Sequence, residues 1–160
     1  MAASERKRFY LNPYKIILRK KIIDGFRAFS RADYKPLLAL YDENVRQTFE
    51  GDHALGGTRT NKQDVERWFQ RFVRLLPSTF VIKDVVVQGW PWNTKAIVVF
   101  EDHVSPVGVS PYTNQGIMNT TVKWGKATYV HIYVNTHLVI EALNALSKQG
   151  VEEAGAEPIT

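Results

Sequence analysis

The sequence predicts an α+β protein, with N-terminal helices packed in the concave face of a curved antiparallel sheet to give a cone with one open mouth. Three observations carry this. Apolar residues recur at helical spacing in segments before residue 77, the pattern becomes strand-like in four consecutive segments over 79–135, and one more amphipathic helical segment follows. The length of 160 residues fits one domain, expected over 13–150 between a flexible basic segment 1–12 and a mobile tail 151–160.

The first helix starts at Asn12-Pro13, a capping residue followed by a proline suited to the first helical position. Leu18, Ile22, Phe26 and Phe29 define its buried face. Asp33 can cap a second helix through Pro36 to Tyr41, ending near Asp42-Glu43-Asn44, and VRQTFE at 45–50 suits a short strand. The glycine-rich connection 51–61 leads to Asn61 and Asp64, which resemble a capping box. Val65, Trp68, Phe69, Phe72, Val73 and Leu76 form the stripe of the third helix, closed by Pro77. TFVIKDVVVQ, TKAIVVFEDHV, NQGIMNTTVKW and KATYVHIYVN are rich in β-branched and aromatic residues and separated by turn sequences, so they read as sequential antiparallel strands. Thr136 can cap a final helix that stops at Gly150.

The net charge is +5, but nine Lys/Arg against two acidic residues fall in 1–31, and 32–160 is slightly acidic. That basic segment reads as a solvated helix face, since no nucleic-acid motif accompanies it, so neither nucleic acid nor membrane is an expected partner. No segment reads as a signal peptide or membrane span, and the chain has no cysteine; a cytoplasmic protein is expected. GDHALGGT at 51–58 has Gly57 where a phosphate loop needs lysine, and GVSPY at 108–112 fails the nucleophile-elbow pattern. The four histidines lack metal-ligand spacing. Neither cofactor nor metal is expected.

On the last strand Tyr129, His131, Tyr133 and Asn135 share one face, opposite Thr128, Val130, Ile132 and Val134. The polar-aromatic face is either exposed sheet or pocket lining. Asp102 and Glu101 point to opposite faces of their strand; whichever points inward meets apolar walls, where desolvation makes a carboxyl a usable acid or base. His53, beside Asp52 in the mouth-side loop, is a further acid/base candidate because histidine titrates near neutrality.

FRAFSRADYKPLLALYDENV, FEGDHALGGTRTNKQDVERWF, VVVQGWPWNTKAIVVFEDH and VKWGKATYVHIYVNT, taken in order, resemble the SnoaL-like group of the nuclear transport factor 2-like (NTF2-like) superfamily. The resemblance runs from about Ile16 to Leu146. It implies the cone-shaped, cystatin-like fold shared with ketosteroid isomerases and polyketide cyclases, a ligand buried in the cone, and a homodimer formed through the outer sheet surface. Aligning the steroid isomerase pattern puts its helix-one tyrosine near Gly25 and its base near Phe49, so that constellation is absent. The aspartate of SnoaL-like cyclases corresponds to Asn135, an amide that can orient a ligand but cannot relay a proton.

The resulting expectation is a pocket for a small, largely apolar organic molecule. Tyr41, Phe49, Trp68, Phe72, Phe100, Met118 and Asn135 are its expected lining, and His131, Asp102, His53 and Tyr133 the candidates for cofactor-free acid/base chemistry such as isomerisation, cyclisation, dehydration or hydrolysis. The alternative is a non-catalytic module that binds a protein partner, for which exposed Trp90 and Trp92 would be suited.

Overall fold

A computed structural model describes residues 12–160. The expectations for the basic segment before Asn12 lie outside the described residues. Asn12 accepts the Tyr14 amide and opens α1 (Pro13–Phe29), whose Leu18, Ile22, Phe26 and Phe29 are buried. A short α2 (Lys35–Leu38) follows, then β1 (Tyr41–Phe49), β2 (Gly57–Arg59), α3 (Lys62–Leu75), β3 (Ser78–Trp90), β4 (Asn93–Val104), β5 (Tyr112–Lys123), β6 (Lys126–Val134) and α4 (Thr136–Lys148). The six strands form one sheet in the order β2-β1-β6-β5-β4-β3. Strands β3 to β6 are sequential and antiparallel, whereas β1 joins β6 in parallel.

Four local expectations are corrected. The second helix ends at Leu38 and not at Tyr41, because Tyr41 already pairs with Ala127 and its ring is buried, which makes β1 longer than 45–50. The glycine-rich connection contains the short strand β2, paired with β1 through Gln47 and Arg59. Asn135, not Thr136, caps α4, its side chain accepting the His137 amide at 3.2 Å.

The tail after Gly150, expected to be mobile, packs against the body of the protein. It forms a 3-10 turn (Glu152–Gly155) and buries Ala154 and Ile159. Three arginines hold it: Arg59 donates to the Ile159 carbonyl, Arg71 to the Glu157 carbonyl, and Arg74 to the Glu153 carboxylate. Removal of residues 151–160 strips a fully buried guanidinium of one of its acceptors. A loss of about 3 kcal/mol or more is expected, read as a lowered midpoint of urea unfolding; an unchanged midpoint would return the tail to the status of an appendage.

The core lies between the inner sheet face and α1, α3 and α4. Strand alternation decides who enters it: Ala96, Val98, Phe100 and Asp102 on β4 point in, as do Asn114, Gly116, Met118 and Thr120 on β5. A bulge between Ile82 and Asp84 shifts the phase of β3, so that Phe80 and Ile82 before it and Val85 and Val87 after it all face the helices. Gly116 pairs with Phe100, and a Cβ there would collide with the Phe100 ring. The missing side chain makes room for that ring.

Candidate functional site

Between the helices and the sheet lies an apolar cavity of about 40 Å³. Tyr41, Phe49, Trp68, Phe72, Phe100 and Met118 border it, together with rings of α1 and β3 and with Ile132 and Val134 of β6. The aromatic packing is dense. Phe29 stacks on Phe80 at 4.9 Å, and Trp68 lies 5.3 Å from Phe72 and 5.5 Å from Phe49. The Trp68 indole N–H donates to the Leu55 carbonyl at 2.8 Å, which satisfies the one polar atom of a ring that is 2% exposed.

One end of this cavity is polar. Asp102 on β4 pairs with Asn114 on β5 and with Phe80 on β3, and Tyr112 lies two residues before Asn114 on the same inward face. Oδ1 of Asp102 and the Tyr112 hydroxyl are buried and have no hydrogen-bond partner among the described residues. Burial pushes the Asp102 carboxyl up to about 7, against a smaller opposing contribution from the Ser78 hydroxyl. Burial also raises the Tyr112 phenol, and the neighbouring Asp102 charge adds to it. The site therefore joins a carboxyl able to exchange a proton near neutrality to a phenol that stays protonated, both facing apolar walls.

Asn114 plays a different part. Its Oδ1 accepts the amides of Asn135 and Gln115, and its Nδ2 donates to the Asn135 carbonyl, tying the end of β6 to β5. Neither Tyr112 nor Asn114 is among the residues expected from sequence. Counting back by twos from Met118 reaches both, but Tyr112 directly follows SPVGVSP, which carries no strand alternation.

The phase of β6 is opposite to the expected one. Val130 and Ile132 are buried toward the helices, and Tyr129, His131 and Tyr133 lie on the outer face. The apolar β-branched row takes the core because its burial costs no hydrogen bonds, whereas imidazole and phenol keep theirs outside. There His131 bonds Glu50 through Nε2 and the Tyr129 hydroxyl through Nδ1 at 3.0 Å, and Tyr133, 44% exposed, stacks on it at 4.2 Å. Asn135 does not border the cavity, since its side chain is spent on the α4 cap.

His53 does not border the cavity either. Its Nδ1 accepts the Leu55 amide and its Nε2 donates to the Glu50 carbonyl at 3.0 Å, which fixes the neutral tautomer. Burial lowers its pKa in the same sense. The ring braces the loop and meets Phe49 edge-on at 5.7 Å. Trp90 and Trp92 are exposed, as the alternative reading expected of them. Among the described residues no group of three or more His, Asp or Glu is gathered in a way that could hold a metal ion, and no helix is long and apolar enough to cross a membrane.

Helices closing the concave face of a curved six-stranded sheet around an apolar cavity define the NTF2-like class of cone-shaped α+β proteins. Within that class the chain belongs to the SnoaL-like domain family, which it matches over residues 22–130. No curated protein matches the sequence. Among solved structures, an NTF2-like protein of unknown function from Burkholderia pseudomallei superposes with a TM-score of 0.68 at 17% identity, covering 78% of this chain and 95% of that one. PrhC from Penicillium brasilianum gives 0.69 at 16% identity, with 88% and 93% covered. TerC, co-crystallised with polyporic acid, gives 0.67 at 18% identity, with 78% and 96% covered. At these identities the likeness is one of fold.

Proposed function

We propose that the protein binds a small, largely apolar organic molecule inside the cone and acts on it by cofactor-free acid/base chemistry through Asp102. The observation that supports this reading lies at the cavity's polar end: one buried carboxyl oxygen of Asp102 and the buried Tyr112 hydroxyl have no hydrogen-bond partner among the described residues. Buried polar groups without partners cost stability, and a ligand carbonyl or hydroxyl that accepts from Tyr112 and exchanges a proton with Asp102 would remove that cost. Tyr112 then donates to oxygen where negative charge develops, and Asp102 moves the proton, a division of labour that suits isomerisation, cyclisation or dehydration. A ligand of this class is in keeping with TerC, a protein of similar fold that was co-crystallised with polyporic acid.

The cavity of about 40 Å³ has room for a few water molecules. Ligand entry therefore requires the Phe rings to swing apart. The test is a thermal-shift screen of apolar ketones, phenols and quinones against the wild-type chain, Tyr112→Phe and Asp102→Asn. Oxygen-bearing compounds should stabilise the wild type and lose about tenfold in affinity in Tyr112→Phe, a hydrogen bond's worth of binding energy. Equal affinity for both proteins, or no ligand at all, would sink the reading. A homodimer through the outer face belongs to the same proposal, because Val81, Val86, Ile117 and Tyr133 leave it apolar and exposed; sedimentation at a monomer's rate at micromolar concentration would count against it.

A further inference from the structure

We propose that the end of the cone opposite the Asp102 site is a docking surface for an anionic lipid membrane. Two hairpin tips meet there. The β3–β4 tip carries Trp90 and Trp92, and the β5–β6 tip carries Trp124; they are 61%, 55% and 73% exposed. Trp90 and Trp92 stack at 5.7 Å with rings nearly parallel, and Trp124 lies 6.3 Å from Trp92. Sequence alone shows two separate turns, and only the fold makes them one aromatic ledge.

The position of Trp124 is itself informative. It has φ 52° ahead of Gly125 at φ 79°, so it holds a turn position where asparagine or glycine is the low-cost residue. A large indole there adds nothing to the core. The ledge continues onto the first turns of α1, where Ile16 and Ile17 are more than half exposed, and a groove of about 330 Å³ runs between Tyr14, Ile17 and Lys21 on one side and Pro91 and Trp124 on the other.

The charge around this ledge selects the occupant. Lys15, Arg19, Lys20 and Lys21 lie on the same half of α1, and Lys123 and Lys126 flank the Trp124 turn. The acidic groups of α1 and β1 are already engaged: Asp24 by Lys20 and Arg27, Glu43 by Lys62, and Asp42 by the Asn44 amide. Indoles and aliphatic side chains ringed by bases suit an interface in which apolar rings enter the headgroup boundary and cations meet anionic lipids. Five of these six bases are lysines, flexible point charges suited to a diffuse layer of headgroups; among the six, Arg19 alone offers the planar fork that reads nucleic-acid phosphates. Ile16 and Ile17 offer nothing to a nucleic acid.

Along β4 and β5 the Thr94–Val122 pair beneath the ledge stands eight register positions from the Asp102–Asn114 pair, roughly 27 Å at the usual rise. Docking would thus leave the polar end of the cavity facing away from the bilayer, and variants of the ledge leave that site intact.

The experiment is sedimentation of the full chain with phosphatidylcholine vesicles containing or lacking about 30% phosphatidylserine, with tryptophan emission recorded in parallel. Binding to the anionic vesicles alone is expected, with a blue shift of the surface indoles and a loss on raising salt. The triple variant Trp90→Ser, Trp92→Ser, Trp124→Asn should weaken partition about tenfold or more with an unchanged circular dichroism spectrum. The pair Lys21→Gln, Lys123→Gln should weaken it about 25-fold, about fivefold per charge removed, with every indole in place. No sedimentation with anionic vesicles overturns the proposal. So does undiminished binding by the tryptophan variant, or preference for a single-stranded oligonucleotide over vesicles in direct competition.

Discussion

Trp68→Ala is expected to cost about 3–5 kcal/mol of unfolding free energy, the largest loss from any single side chain of the cavity wall. The indole is 2% exposed, it touches Phe49, Phe69 and Phe72, and the Arg59 guanidinium lies 5.5 Å over its ring. Truncation leaves a void, frees the Leu55 carbonyl and removes the aromatic face from a buried cation. Urea unfolding followed by circular dichroism measures the effect. A loss below about 1 kcal/mol would mean that the surrounding rings collapse into the space, and that the wall is far more plastic than its packing implies.

The second large effect has the opposite sign. Asp102→Asn is expected to raise stability by roughly 3 kcal/mol or more above pH 8. Asp102 titrates at about 7 in the folded chain against an ordinary value of 3.8. Between those values the folded state holds a proton that the unfolded state has released, so stability declines as pH rises from about 4 to about 7 and stays low beyond. The asparagine variant never ionises. Its advantage should therefore be large at pH 8 and fade toward pH 4, and a pH-independent difference would show that Asp102 is not desolvated. If the chain catalyses a reaction through this carboxyl, the same substitution should lower turnover about 100-fold or more while the fold gains stability. That pairing of gain and loss separates a functional acid from a merely misplaced one.

Much of the architecture was legible because periodicity reports burial directly. The faces of α1 and α3 and the four-strand run could be read from spacing alone, whereas the phase of β4 stayed open, because Ile97 and Val99 on one side are as apolar as Val98 and Phe100 on the other. The site was less legible, for a specific reason. On β6 both faces carry large side chains, and resemblance to ligand-binding cones drew His131 and Tyr133 inward, although Val130 and Ile132 are the residues that burial favours. Asn135 and His53 misled in another way: each is a polar residue at the right end of the molecule whose bonding capacity is consumed by its own neighbourhood, a helix cap in one case and a loop brace in the other. Tyr112 follows a proline-rich stretch that carries no alternation, so only its register with Val104 places it in the sheet.

The parallel pairing of β1 with β6 has a bearing on how the chain reaches this state. Strands β3 to β6 zip together through short hairpins, and their contacts are local. β1 must instead wait for a partner made long after it, since Thr48 meets His131 and Phe49 meets Ile132. Closing that long loop comes at an entropic cost before any contact rewards it, so the four-strand meander should assemble first and the β2–β1 edge dock late. Until it does, Phe49 and Trp68 have no common wall, and the inner face of the nascent sheet stays open to water. Hydrogen exchange pulsed during refolding would then see β4 and β5 amides protected ahead of those in β1. An interval of that kind is when such a chain is most exposed to association with its own copies.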